Sequence, residues 1–338
     1  MQITRAEFKI LDELLRRTAR TLQKSAAVLP ERERAVFSIG YLFCRAADSI
    51  ADTGVIPRER KIFWIEKFPS LIESGGVEEL IKEIQNGAEN ADEKFLLQKL
   101  PQCISIYNKF EPDDKKLISA VVGRVCEGML FDLKTFNPGV LTALEKTAQL
   151  EYYCDTMGGA PGVFWSGLIL KSAAVKMSAE EFKNFGKNIG DALQIVNILR
   201  DVKEDIANNR CYFPAEDLGF FGVSVKDFRD GSSRAVNPVI KKWILWGLDK
   251  ISCAPEYFEQ ISKKNWRLRL SVLMPVIWAL DTFELLAQSD ILNNKVKINK
   301  KNIYLTILKS PVYLFSNRKF NDAVSRKTEQ IKDKLVKF

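Results

Sequence analysis

The sequence carries one chemical pattern twice. Arg45-Ala-Ala-Asp48-Ser-Ile-Ala-Asp52 is the first instance, and Gln194-Ile-Val-Asn197-Ile-Leu-Arg200-Asp201-Val-Lys-Glu204-Asp205 is the second, about 150 residues later. On an α-helix, positions four apart lie roughly 40° from each other, so each aspartate pair sets two carboxylates on one face, one turn apart. Two acids so placed repel by about 0.2–0.5 kcal/mol in water and by more in a cleft. A hard cation offsets that repulsion. Magnesium takes oxygen ligands and is commonly held by one or two carboxylates, waters and phosphate oxygens. Two such pairs facing each other across a helical bundle would gather a few of these ions around a diphosphate. Arg45, Arg200 and Arg210 stand beside the motifs. Their guanidinium groups suit a departing diphosphate, although Arg45, three residues before Asp48, is equally suited to be that acid's structural partner.

The second motif has a clear helical layout. With Gln194 at zero, Asp201 falls at roughly −20°, Asp205 at +20°, Asn197 at −60° and Glu204 at −80°. Ile195, Val196, Leu199, Val202 and Ile206 fall on the opposite side, between roughly 80° and 200°. One face is thus a polar stripe and the other is core. A merely solvated stripe would alternate acids with lysines at i,i+4; this one stacks acid on acid.

The elements that carry these motifs read as helices. Leu11, Leu14, Leu15 and Leu22, then Phe37, Tyr41 and Cys44, then Leu97, Leu100, Ile104 and Tyr107 recur at helical spacing. No stretch alternates with period two, so strands are not required. Breaks are expected at Gly54–Pro57, Gly75–Gly76, Asn86–Asp92, Phe136–Gly139, Ala207–Gly222 and Asp230–Pro238. None reads as an inter-domain linker; Ser289–Asn294 comes nearest. The 338 residues, 46% apolar and 28% charged, suffice for a sizeable core.

Composition removes several chemistries. There is no histidine, which excludes Ser-His-Asp and Cys-His nucleophiles, His-containing zinc sites and haem on a proximal His. The six cysteines are scattered without a CxxC, which suits buried thiols in a reduced, cytoplasmic protein. The N-terminus is charged throughout and does not read as a signal peptide. The net charge of +8 is concentrated at one end: residues 291–338 hold twelve Lys/Arg against three acids, leaving −1 for residues 1–290. The same tail carries Ile303, Tyr304, Leu305, Ile307, Leu308, Val312, Tyr313, Leu314 and Phe315. Basic and apolar residues so mixed suit either a terminal helix closing a bundle or a peripheral contact with an anionic membrane. No nucleic-acid motif accompanies them.

Taken together, these residues resemble the squalene/phytoene synthase family of head-to-head prenyl transferases. Asn197–Pro214 resembles the family's second aspartate motif and the basic-aromatic stretch after it, and Arg45–Thr53 resembles the first, with Ala51 where the family usually has Glu or a small residue before the last Asp. Tyr153-Cys-Asp-Thr-Met-Gly-Gly-Ala-Pro-Gly162 is similar to the family's YC-x-x-VAG-x-VG, with Met157, Gly158 and Pro161 departing from it. Phe164-Trp165 is similar to bacterial squalene synthases, Thr18-Ala-Arg20-Thr21-Leu22 to a weakened SRSF, and Glu127–Leu133 to a Gly…Asp block.

The resemblance, which covers roughly residues 10–290, implies a single-domain all-α isoprenoid-synthase bundle over residues 1–290, built around a central cavity; residues 291–338 match nothing specific in the family and read from their charge as a basic helical extension. It implies condensation of two farnesyl diphosphates through presqualene diphosphate to squalene, with magnesium at Asp48, Asp52, Asp201 and Asp205, and NADPH as reductant. Arg20, Arg45, Gln194, Asn197, Arg200 and Arg210 would hold substrate or diphosphate. Tyr153 would move a proton, Glu204 would support the acids from behind, and Gly159 and Gly162 would permit close helix approach or a kink. Other outcomes compatible with the same residues are release of presqualene diphosphate, hydroxysqualene, dehydrosqualene or phytoene. More distant readings are another class I terpene synthase and a non-catalytic scaffold, which would be expected to lose aspartates. The oligomeric state is open, with a monomer compatible.

Overall fold

The computed structural model describes residues 3–19, 26–84 and 91–337. Helices dominate, as the periodicity requires, and the chain forms two compact units, Met1–Lys134 and Thr135–Phe338.

The first unit holds α1 (Arg5–Thr18), α2 (Glu31–Asp52), α3 (Arg58–Ser74), α4 (Glu78–Ile84), α5 (Ala91–Tyr107) and α6 (Pro112–Thr135). A capping box starts α1: Glu7 N–H donates to Thr4 Oγ1 at 3.3 Å and Thr4 N–H donates to Glu7 Oε2 at 2.9 Å. Arg16 and Arg17 close the same helix against its negative end. α2 is packed by α1, α3 and α5. Its Ala35, Ile39, Leu42, Phe43, Ala46 and Ile50 are all shielded from solvent. The three packing neighbours explain why so much of this helix is apolar all round.

In the second unit, α7 (Thr147–Cys154) runs through a π-helical turn (Asp155–Gly159) into α8 (Ala160–Ser172). Then come α9 (Ala179–Ala207), α10 (Ala215–Phe220), α11 (Val225–Arg229), α12 (Ser233–Ile251) and α13 (Ala254–Gln260). A 3₁₀ turn (Lys263–Asn265) leads into α14 (Trp266–Leu286), and α15 (Lys300–Leu314) and α16 (Asn317–Lys337) complete the unit. The 29-residue α9 is its axis, packed by α7, α8, α12 and α14. Ser178 and Glu181 form its capping box.

The approach of α8 to α9 is unusually close. A methyl group on Gly162 would lie 2.7 Å from the carbonyl carbon of Gly186, and one on Gly190 would lie 2.7 Å from that of Gly158. Four glycines, two per side and four residues apart, let backbone meet backbone where any side chain would force the helices apart. The sequence expectation for Gly162 holds. A methyl on Gly159 would instead press on the Asp191 and Asp155 carboxylates, the latter at 2.8 Å. The departures at Met157 and Gly158 fall within the π turn, an arrangement frequent at functional sites.

Three details differ from the sequence expectations. Residues 142–143 and 210–211 pair as a parallel two-residue ladder, Thr142 with Arg210 and Ala143 with Cys211; it is too short to leave an alternating pattern. The expected break ending at Pro238 stops earlier, because α12 starts at Ser233 and carries Pro238 inside it. The region of Ser289–Asn294 is tied down: Ile291 and Leu292 are buried, and Asp290 accepts from Ser233 and from Asn293 at 2.8 Å.

The basic tail divides. α16 closes the unit, with Phe320, Val324, Ile331 and Leu335 buried, Phe320 packed on Phe258 at 4.2 Å between ring centres, and Lys334 on Glu284 at 2.5 Å. All six cysteines are unpaired thiols, and burial pushes Cys103, Cys126, Cys211 and Cys253 up to about 12. Among the described residues, no helix is long and apolar enough to cross a membrane.

Candidate active site

The first aspartate pair stands on the last turns of α2. Asp48 is one-third exposed and Asp52 faces solvent. Arg45 donates to Asp48 through Nη1 and to Glu93, on α5, through Nη2 at 2.8 Å. The guanidinium therefore already bridges two acids, while its buried Nε has no hydrogen-bond partner. Burial raises the Asp48 carboxyl, the neighbouring Asp52 and Glu93 charges raise it further, and Arg45 only partly opposes them, so it is pushed up to about 6. Asp48 is thus a carboxylate that one arginine does not fully compensate.

The second pair lies on α9 as the angular reading requires, with Asp201 and Asp205 both half-buried and the opposite residues Ile195, Leu199 and Val202 in the core. Arg200 grips Asp201 with both Nε (2.8 Å) and Nη2. That fork-on-carboxylate contact raises the arginine above its ordinary value. Gln194 is half-buried and Asn197 exposed. Glu204, further round the helix, is held in an exposed pair with Lys295 at 2.5 Å, and Lys203 donates to the Asn293 carbonyl at 2.9 Å. These two residues thus anchor the segment after α14.

After α9 the chain turns at Asn208 and Asn209, the latter in the left-handed region at φ 61° that asparagine tolerates. The short ladder strand that follows carries Arg210, half-buried, and delivers Tyr212 to Tyr153 at the end of α7. The two rings stack at 4.7 Å between centres, and the Tyr212 hydroxyl donates to the Tyr153 hydroxyl at 3.2 Å. Both are buried, whereas Tyr152 is 37% exposed. The family resemblance points to Tyr153 alone; the sequence signal for its partner is Tyr212 itself, in the aromatic stretch after the second motif.

A second group was also missed. Lys187 on α9 pairs with Asp191 at 2.9 Å and with Asp155 of the π turn at 3.2 Å, and Lys250 approaches Asp191 at 3.9 Å. Asp191 is 1% exposed and its Oδ1 has no hydrogen-bond partner. Burial raises its carboxyl against the pull of both lysines. This network clips the π turn to α9 one turn before Gln194. Arg20, the remaining expected diphosphate contact, lies outside the described residues.

The donors fit a hard divalent cation. Both pairs offer carboxylate oxygens on one helix face, and Asp48 and Asp201 each already attract an arginine cation. Within either unit no three acid or thiol side chains of the described residues converge on one point.

The wider similarities agree in kind. A squalene synthase of Yarrowia lipolytica is 24% identical over 308 residues, covering 90% of this chain and 66% of that protein. The chain therefore spans just under two thirds of that relative's length. The structure of TcSQS in complex with the ligand E5700 superposes with a TM-score of 0.79 at 18% identity, covering 98% of both chains. A dehydrosqualene synthase in complex with a ligand gives 0.66 at 18% identity, covering 91% of this chain and 96% of that one. At such identities the likeness is one of fold: an all-helical isoprenoid-synthase architecture of the squalene synthase type. The Squalene/phytoene synthase family matches residues 15–301, a span that contains both aspartate motifs, and the chain belongs to that prenyl-transferase family.

Proposed function

We propose that the chain condenses two farnesyl diphosphates head-to-head, through presqualene diphosphate, and reduces the product to squalene. The observation that carries this reading is the state of the acids: all four are present on their helices, and Asp48 and Asp201 each carry a guanidinium. A catalytically silent relative has no need to keep such charge. The names of the similar proteins, squalene and dehydrosqualene synthases, support the substrate class.

Asp48, Asp52, Asp201 and Asp205 would hold magnesium, which supplies the positive charge that draws diphosphate off an allylic carbon. NADPH, when bound, would supply the hydride that ends the cationic sequence. Every other requirement falls on the chain. Arg200, beside the second pair, would exchange its aspartate for a departing diphosphate; Arg45 and Arg210 would share that role, and Arg20 joins them on sequence grounds. Gln194 and Asn197, on the polar stripe of α9, orient substrate oxygens. The stacked Tyr153 and Tyr212 hydroxyls form a buried proton path in a protein without histidine, away from the water that would trap a carbocation early.

The test is incubation with farnesyl diphosphate and magnesium, with and without NADPH, followed by product analysis. Presqualene diphosphate without NADPH and squalene with it support the reading. A product indifferent to NADPH would move the chain to dehydrosqualene, hydroxysqualene or phytoene formation. No release of diphosphate would remove all the synthase readings and leave a scaffold role.

A further inference from the structure

α15 is built inside out. Its sheltered face is formed by Thr306, Ser310 and Leu314, whereas Tyr304, Leu305, Ile307, Leu308 and Val312 face solvent. Tyr304 is 63% exposed, Leu308 76%, and Phe315, just past the helix end, 56%. The inward hydroxyls are satisfied within the helix, Thr306 Oγ1 donating to Asn302 O at 3.0 Å and Ser310 Oγ to Ile307 O at 2.7 Å. A surface helix ordinarily turns its apolar stripe to the core. Here much of the stripe is left in solvent, and an apolar patch of this kind marks a contact surface.

The charge around the patch says what covers it. No acid occurs between Asp290 and Asp322, and the interval carries Lys295, Lys297, Lys300, Lys301, Lys309, Arg318 and Lys319. Lys300 and Lys301 sit at the start of α15, Lys309 on its outer flank, and Arg318 and Lys319 just beyond it, all exposed. A second copy of the same face would bring like charge against like charge. The patch runs along one helix, which suits a deformable apolar medium with anionic headgroups.

We propose that α15 rests in the surface of an anionic lipid bilayer, with Tyr304, Leu308, Val312 and Phe315 at the headgroup–acyl boundary and the surrounding lysines on lipid phosphates. Attachment is peripheral, and it holds whether or not the chain turns over prenyl diphosphates.

The experiment is sedimentation of the full chain with vesicles of phosphatidylcholine alone or with about one third phosphatidylglycerol. Binding to the mixed vesicles and not the neutral ones, weakened by added salt, is expected. Leu308→Ser combined with Phe315→Ser should reduce the bound fraction about tenfold with an unchanged thermal melt, since these side chains are exposed. Lys300→Glu with Lys309→Glu, which leaves every apolar group in place, should do the same. No binding at low salt, equal binding to both vesicles, or binding indifferent to both variants would overturn the proposal. A dimer in analytical ultracentrifugation that Leu308→Ser dissolves, with no vesicle binding, would assign the face to self-association instead.

Discussion

The two aspartate motifs share a spacing and differ in almost everything that holds them. On α2, the arginine sits three residues before Asp48 and is shared with Glu93 from a distant helix, so the acid is undercompensated and its carboxyl climbs to about 6. On α9, the arginine is the immediate neighbour of Asp201 and grips it with two nitrogens. The helices differ as well: α2 is bedded among ordinary apolar side chains, and α9 is pressed backbone to backbone against α8. One chemical pattern can thus be carried by two physical arrangements, one leaving charge to be neutralised by a ligand and one neutralising it locally.

If both motifs serve one metal-bound diphosphate, the comparison disappears in turnover. Asp48→Asn and Asp201→Asn should each lower kcat by about 10²–10³-fold or more with the far-ultraviolet circular dichroism unchanged; near-normal turnover in either would break the equivalence. The difference in support should reappear in stability. Gly162→Ala drives a methyl into the Gly186 carbonyl and should lower unfolding free energy by about 3 kcal/mol, at the upper end for overpacked sites. A denaturant midpoint equal to that of the wild type would deny the close approach. Tyr153→Phe removes the acceptor of the Tyr212 hydroxyl and should slow the reaction about 10²-fold, while exposed Tyr152→Phe should act within about twofold; equal effects would take Tyr153 out of the chemistry.

A smaller effect distinguishes the undercompensated acid. Because the folded Asp48 carboxyl stands at about 6 against 3.8 when unfolded, the folded state binds the extra proton between those values. Stability therefore falls as pH rises through that window and the cost is fully present above it. In metal-free protein, Asp48→Asn should melt above the wild type at pH 7.5, and the gap should close toward pH 4. A constant gap would sink the account of Asp48. The smallest effect belongs to Glu204→Gln, whose exposed pair with Lys295 should matter by no more than about 0.5 kcal/mol.

What could be read from the sequence was local. Acids four apart, the apolar flank of α9 and the helical periodicity of the chain all follow from spacing along one element. What escaped was assembled from afar. Glu93 reaches Arg45 across 48 residues and Tyr212 reaches Tyr153 across 59, and no local pattern announces either. The Lys187–Asp191–Asp155 network hid for the same reason: Lys187 and Asp191 read as an ordinary helix pair until the π turn brought Asp155 to them. The tail was ambiguous because its composition averages two unlike helices, α16 buried on one side and α15 turned outward. The two-residue ladder lies below the length at which alternation can register.

The glycine contact between α8 and α9 has a mechanical consequence. Its opposed small positions recur four residues apart, like teeth on a rack, so a sliding displacement of a fraction of that spacing meets a collision and the next allowed setting is about 6 Å away. The height of Asp201 along its helix is thereby indexed to α8 and not continuously adjustable. Substitutions elsewhere in this unit can reshape side-chain surfaces without moving the acid's origin.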